Sequence, residues 1–556
     1  MAKRAKREVI PARYQPELPV SELVVAEAPG AEHVPMDVVF VGGGPAGLAG
    51  AIELARLVRA SNEGSDGIGE VEIAVVEKAA GLGEHNLSGA VVNPRAFRAL
   101  FPELAEEEFP FRGRVERERV LLLTENRAVP IPKPPTMRNH GNHVASISEM
   151  VRWLGEQAER AGVNIFTGFT AGSLLVEGDR VVGIRTVASG LERSGTPGSG
   201  YEPPTDISAK VVALAEGSRG ALAQAWMQWQ GVGSVNPQIY ALGVKEIWET
   251  KRPLDGIVHT LGWPLPPDVF GGSFMYPLEP NVIAIGLVVG LDYPELGLDV
   301  HMLLQRMKLH PFLKRYLEGG EIVEWGAKTI PEGGYWSLPE RRSGAGVVVL
   351  GDSAGFVDVA SLKGIHYAME SGIQAARAIF QALKAGDGSA PALAAYDRAM
   401  AESYVVSDLR RTRNMRLAFR DGLWRGGLKA GLMAATRGAF PGGRIEVERD
   451  AEVPRRPGGE VQLTPDGRLT FRKQDAVFRS GNVTRDDIPQ HVVVGADVPV
   501  EVAELYAHMC PAGVYEVEDG RLVVNAPNCV DCKATDVLGP RWLPREGGSG
   551  PRYRRM

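Results

Sequence analysis

Asp37-Val-Val-Phe-Val-Gly42-Gly43-Gly44-Pro45-Ala46-Gly47, running into Leu48-Ala-Gly-Ala-Ile-Glu-Leu-Ala-Arg-Leu57, decides the fold. A short apolar run suited to a buried strand passes through a glycine turn into a helical pattern. That is the setting a G-x-G-x-x-G dinucleotide fingerprint requires. Gly42 makes the tight turn, Gly44 lets the backbone approach a pyrophosphate, and Gly47 lets helix and strand pack closely. The helix start offers N–H groups and the positive end of its dipole to phosphates. A second strand pattern, Val71-Glu-Ile-Ala-Val-Val-Glu77, ends in an acid placed to accept hydrogen bonds from ribose hydroxyls. Glu77 lies farther from Gly47 than the usual spacing of about 20 residues. The polar insert Ser61–Gly69, a surface loop by composition, accounts for the excess.

Downstream, Gly346-Val-Val-Val-Leu-Gly351-Asp352-Ser353-Ala354-Gly355 predicts another strand and a glycine turn, leading to a helix over Ile373–Phe380. In flavoproteins with two such motifs the Asp holds the ribityl chain, so FAD is the better reading. The plain alternative is a strand–turn with Asp as a helix cap. A further strand, Lys210-Val-Val-Ala-Leu-Ala-Glu216-Gly217, returns to the nucleotide sheet. No second fingerprint follows a strand, so no separate nicotinamide domain is expected. No Cys-x-x-Cys lies near the flavin segment, which argues against a disulfide reductase.

All three cysteines of the chain lie in its last fifty residues. Cys510 precedes Pro511, and Cys529-Val-Asp-Cys532 places two thiols three positions apart, a spacing seen in iron–sulfur sites. Three thiols make no disulfide framework, and their scarcity suits a reducing compartment. A nucleotide cofactor at one end and a cluster ligand set at the other suit electron transfer.

The 556 residues exceed what one core supports. The net charge of −6 implies no general affinity for nucleic acid. The basic start Met1–Gln15 lacks the apolar run of a signal peptide. No stretch of about 18 apolar residues predicts a membrane-spanning helix. Met415–Phe440 alternates Leu417, Phe419, Leu423, Trp424, Leu428, Leu432 and Met433 with five Arg or Lys residues. That pattern suits a helix lying on an anionic lipid surface, or one packed on the protein's own core.

Several long collinear segments resemble the electron-transfer-flavoprotein:ubiquinone oxidoreductase family. They include Glu77-Lys-Ala-Ala-Gly-Leu-Gly-Glu-His-Asn-Leu-Ser-Gly89, His259-Thr-Leu-Gly-Trp-Pro-Leu265, Gly271-Gly-Ser-Phe274, Cys510-Pro-Ala-Gly-Val-Tyr-Glu516 and Glu546-Gly-Gly-Ser-Gly-Pro-Arg-Tyr553. The resemblance implies an α/β plus α+β fold. It has a Rossmann-like FAD domain of the two-dinucleotide-motif type, an inserted quinone domain and a C-terminal ferredoxin-like iron–sulfur domain. The expected spans are an N-terminal arm (1–35), the FAD domain (36–235 and 330–415), the quinone domain (236–329), a membrane-contacting linker (416–444) and the cluster domain (445–556). Ser189–Gly200 reads as a flexible loop.

The resemblance further implies FAD contacts at Gly42, Gly44, Gly47, Glu77, Lys78, Ser88, Gly89, Glu216, Gly351, Asp352, Gly364 and Ile365. The quinone head would meet Gly271 and Gly272, with His259 and Tyr293 as lesser candidates. From sequence alone Gly271–Gly272 reads as a hairpin turn. Cys510, Cys529 and Cys532 match the family's 4Fe–4S ligands, but Thr535 stands where the fourth Cys is expected. A 4Fe–4S cluster with an oxygen ligand from Asp531, Asp536, Thr535 or water, a 3Fe–4S cluster, a vacant site and zinc with an oxygen ligand or His508 all stay open. Family members carry threonines where Ile365 and Tyr367 stand, so the flavin's redox poise is expected to differ.

The implied activity is transfer of electrons from a reduced electron transfer flavoprotein, through cluster and FAD, to ubiquinone or menaquinone. The enzyme would sit peripherally on the cytoplasmic face of a bacterial inner membrane. The alternatives are an FAD-dependent hydroxylase or prenyl reductase, and a quinone-reducing subunit of an electron-bifurcating complex.

Overall fold

The computed structural model describes residues 8–65, 67–89 and 91–556. The reading of the first seven residues lies outside them. Val38–Val41 is fully apolar and buried, so it sits at the centre of a sheet. The order of that sheet is 164–167, 73–77, 38–41, 211–214, 347–349 and 343–344. All pairings are parallel except the last, a short antiparallel return. Continuous apolar strands are what a parallel sheet covered on both faces demands. The helices Pro45–Glu63 and Ile365–Ala385 pack against each other beside it. The second helix begins eight residues before the expected Ile373, with an apolar face continuous from Tyr367 to Phe380.

A five-stranded sheet adjoins, in the order 24–25, 171–177, 180–186, 206–208, 34–35. Its two outer strands come from the expected N-terminal arm. Residues 8–35 are therefore built into the fold, with Val9 also exchanging backbone hydrogen bonds with Arg455. Ser189–Leu191 and Pro197–Glu202 pair as a hairpin, correcting the flexible-loop reading. It is pinned by Arg485, which bonds both the Leu191 carbonyl and Glu546, while Glu546 accepts from the Gly190 N–H.

The third sheet has seven strands, ordered 321–331, 240–249, 282–290, 271–279, 257–262, 118–123 and 128–131. The last two strands come from inside the span expected for the FAD domain. Glu118–Leu123 runs parallel to Ile257–Gly262, a pairing across more than a hundred residues that local pattern does not reveal. Gly271 and Gly272 open a strand rather than turn a hairpin. The C-terminal segment carries two small antiparallel pairs, 492–493 with 541–542 and 515–518 with 521–524. It also carries the helices Lys473–Arg479, Val500–Met509 and Ala534–Leu538. Met415–Phe440 forms a 3-10 turn, Leu417–Asp421, and a helix, Gly422–Ala435.

Candidate functional site

The nucleotide turn behaves as its glycines require. Gly42 has φ of +114°, and a Cβ there would sit 2.3 Å from the Ala215 carbonyl oxygen. A Cβ on Gly47 would lie 2.1 Å from the Gly42 oxygen. Side chains are excluded at both positions by backbone, so strand and helix meet at the distance a pyrophosphate cradle needs. Gly44 is the helix cap, and no side chain satisfies the first-turn N–H groups. Those donors point at a cavity of about 890 Å³.

The cavity joins the expected residues. Gly42, Gly44, Glu77, Lys78, Ser88, Gly89, Glu216, Gly351, Asp352, Gly364 and Ile365 all line it, as do Gly271 and Gly272. Gly47 stands behind the turn as packing. Three residues do other work as well. Glu77 accepts from the Gly43 and Ala79 N–H groups, which fixes the turn. Glu216 accepts from Leu222 and Ala223 at the start of helix Ala221–Trp229. Lys78 is not free for a cofactor phosphate: its ammonium pairs with Asp531 at 2.5 Å. No local signal pairs residues 453 positions apart.

Asp352 faces the cavity, and burial pushes its pKa up to about 6. A desolvated carboxylate beside a helix start fits a ligand rich in hydroxyls and N–H groups. The residues present thus fit FAD: a phosphate cradle, a ribose acid and a carboxylate at the second motif.

The seven-stranded sheet roofs the same cavity. The ladder between its strands 257–262 and 271–279 is registered only from Thr260–Ser273 to Val258–Met275. It stops short of Gly272, which lines the cavity together with Gly271. His259 Nε2 and the Tyr276 hydroxyl are 2.6 Å apart on the cavity wall. Burial lowers the His259 pKa to about 4, so the ring is neutral at pH 7. Tyr293 is buried over Arg455 and does not line the cavity, so it drops out as a quinone contact.

Cys510, Cys529 and Cys532 are buried together in one core with Tyr515. Burial raises all three thiol pKa values, Cys529 to about 12. Buried thiols gathered amid cationic side chains fit a metal cluster that takes them as thiolates. Asp531 and Asp536 organise the surrounding charge. Asp531 accepts from Lys78, Arg545 and Trp542. Asp536 accepts from Arg219 and Arg541. His491 lies near Cys529 and Asp531, their ligand atoms within 4.8 Å of one another, and both ring nitrogens lack partners. Sequence reading passed over it because no motif marks it.

One wall belongs to both sites. Lys328 and Thr329 line the cavity on the strand Glu321–Pro331. The Thr329 N–H donates to the Cys532 carbonyl at 2.9 Å, and the Lys328 ammonium donates to the Asp531 carbonyl at 3.2 Å.

A dinucleotide cavity sharing a wall with a three-thiol pocket defines the class: a flavoprotein oxidoreductase with an iron–sulfur centre. Two family models match the chain, "ETF-QO, ubiquinone-binding" over residues 240–330 and "Electron transfer flavoprotein-ubiquinone oxidoreductase, 4Fe-4S" over residues 467–554. The mitochondrial electron transfer flavoprotein-ubiquinone oxidoreductase of Caenorhabditis elegans is 37% identical, across 94% of this chain and 92% of that protein. The human protein of that name is also 37% identical, across 94% of this chain and 89% of its own length. The chain belongs to the electron transfer flavoprotein-ubiquinone oxidoreductase family. Among solved structures, a geranylgeranyl bacteriochlorophyll reductase-like protein from Thermoplasma acidophilum shares the fold, with a TM-score of 0.56 at 18% identity. The likeness covers 73% of this chain and 92% of that one.

Proposed function

We propose that the protein oxidises a reduced electron transfer flavoprotein and reduces a quinone while lying on a membrane surface, on the cytoplasmic face of a bacterial inner membrane. The observation that carries this is the shared wall. The residues hydrogen-bonded to the Asp531–Cys532 backbone are the same ones that line the cavity holding Gly42, Asp352 and Gly271–Gly272.

Once bound, the cluster carries single electrons and FAD couples them to two-electron chemistry. The protein's part is placement, dryness and charge. The uncapped helix start and Gly42–Gly44 would hold the phosphates of FAD, Glu77 its ribose, and Asp352 its hydroxyl-bearing chain. The Lys328 ammonium, its pKa lowered by burial to about 8, puts positive charge on the wall between the two centres. Negative charge arriving on either side is favoured there. Gly271 and Gly272 present backbone to a quinone head, and the His259–Tyr276 pair holds a proton at the Tyr276 oxygen within the same cavity. Quinol formation takes up two protons as well as two electrons, so a wall with titratable groups suits it.

Access runs past the helix Gly422–Ala435. Leu423, Trp424, Gly427, Leu428 and Gly431 line the cavity mouth. Cβ atoms added at Gly427 and Gly431 would meet nothing within 4 Å, so these two glycines add no bulk to the cavity wall. Trp424 and Leu428 are each 69% exposed, beside Arg425 and Lys429. An exposed apolar ridge flanked by cations suits an anionic lipid surface. No helix among the described residues is long and apolar enough to cross a membrane. Thiols confined to one metal site suit the reducing, cytoplasmic side.

The test is anaerobic turnover with enzymatically reduced electron transfer flavoprotein as donor and a quinone as acceptor. Quinol should accumulate in proportion to donor oxidised. Reduction by NADH instead, with no response to the flavoprotein donor, would favour the hydroxylase or reductase reading.

A further inference from the structure

The fourth corner of the cluster site is where this chain departs from its family's 4Fe–4S pattern. A fourth iron needs a terminal donor there. Thr535 occupies the position, but its hydroxyl is already committed. It lies 2.6 Å from the Tyr515 hydroxyl and donates to the Pro540 carbonyl at 3.3 Å. Thr535 is 7% exposed and Tyr515 2%, so the corner is closed to solvent by packed side chains.

The neighbouring carboxylates are committed too. Asp531 offers one oxygen to Lys78 and the other to Arg545 and Trp542. Asp536 offers one oxygen to Arg219 and the other to Arg541 and the Trp542 N–H. Freeing either would leave buried cations unpaired. His508 faces Asp299, its Nδ1 4.0 Å from that carboxylate. His491 is unpartnered, but its ring lies within 4.8 Å of the Cys529 sulfur. Terminal ligands of a cubane point away from one another, so two standing that close share a corner rather than occupy two.

We propose that this chain holds a three-iron, four-sulfide cluster on Cys510, Cys529 and Cys532, with the corner facing the Thr535–Tyr515 hydrogen bond left without iron. This rests on the cluster reading above and sets the nuclearity of that same site. One electron then moves the cluster between its oxidised and reduced forms with no exchange of metal.

The protein is purified anaerobically, so that oxygen does not strip iron. Iron and acid-labile sulfide are counted per FAD, and low-temperature paramagnetic resonance is recorded before and after dithionite. The expected result is three irons and four sulfides, with a signal in the oxidised protein that disappears on one-electron reduction. Thr535→Cys should raise the count to four irons and silence the oxidised form, its signal appearing only after reduction. Four irons in the unaltered protein overturn the proposal. If His491→Ala then lowers that count to three, the corner belongs to the imidazole. Zinc, or no metal at all, also overturns it and in addition removes the relay from the proposed function, which four irons would leave standing. The unaltered protein decides the matter even if the Thr535 variant does not fold.

Discussion

Asp352 shows a carboxylate placed for a ligand rather than for stability. Its pKa stands at about 6 in the folded chain, against 3.8 when unfolded. Below the lower value both states are protonated and the group has no effect. Between the two values the unfolded chain ionises first, so stability falls as pH rises, and the full cost is present above about pH 6. The shift corresponds to on the order of 3 kcal/mol. Asp352→Asn should therefore stabilise the FAD-free protein at pH 7 and hardly at all near pH 4, while weakening FAD retention. Thermal melts of the FAD-free pair across that range check it, and a difference independent of pH would refute the assignment. Gly42, Gly44, Gly47, Glu77, Gly351 and Asp352 were legible because each belongs to a strand–turn–helix pattern, whereas Gly271 and Gly272 came by resemblance and read locally as a hairpin turn. Lys78 was expected as an FAD contact by resemblance, and it lines the cavity with its ammonium taken by Asp531. Its partner Asp531 lies in another domain, and sequence carries no sign of that distance.

Among the elements, the helix Val300–Lys308 is fastened by a buried charge. Lys308 bonds both oxygens of Glu246, and both side chains are fully buried. Gln305 and the Trp248 indole N–H complete the carboxylate's partners. Lys308→Met alone leaves Glu246 uncompensated and should cost roughly 3–5 kcal/mol, most of which Glu246→Gln in the same chain should restore. Chemical denaturation of the two variants reads this directly, and equal destabilisation in both would contradict it. The helix Gly422–Ala435 makes the opposite use of its surface. Replacing Trp424 and Leu428 together by Asp should abolish co-sedimentation with anionic vesicles and slow reduction of a long-tailed quinone. Reduction of a short-chain analogue in solution should persist. Loss of both quinone activities with vesicle binding intact would show that these residues act inside the cavity instead. The amphipathic pattern of this element was visible in sequence. The hairpin at Ser189–Glu202 was not, because its glycines and polar residues are held by Arg485 and Glu546 from the far end of the chain.

At the scale of the molecule, the C-terminal segment closes the other two units against each other. Arg219 of the first reaches Asp536. The Tyr553 hydroxyl accepts from the Ala327 N–H of the quinone sheet. The Met556 carbonyl accepts from Ser146 and Ser148 of the nucleotide unit. The order of the three units was legible from their motifs. The exchange of strands 118–131 into the quinone sheet was not, because parallel pairing between distant segments leaves no local trace. These closures set the thiol segment against the wall of the cavity that both expected ligands would share. A crystal structure of the anaerobic protein with FAD and a quinone analogue tests this most directly. The account predicts the pyrophosphate at Gly42–Gly44 and the quinone head against Gly271–Gly272 in one cavity, with the cluster behind Lys328 and Thr329. A quinone bound elsewhere, or a cluster separated from that wall, would contradict it.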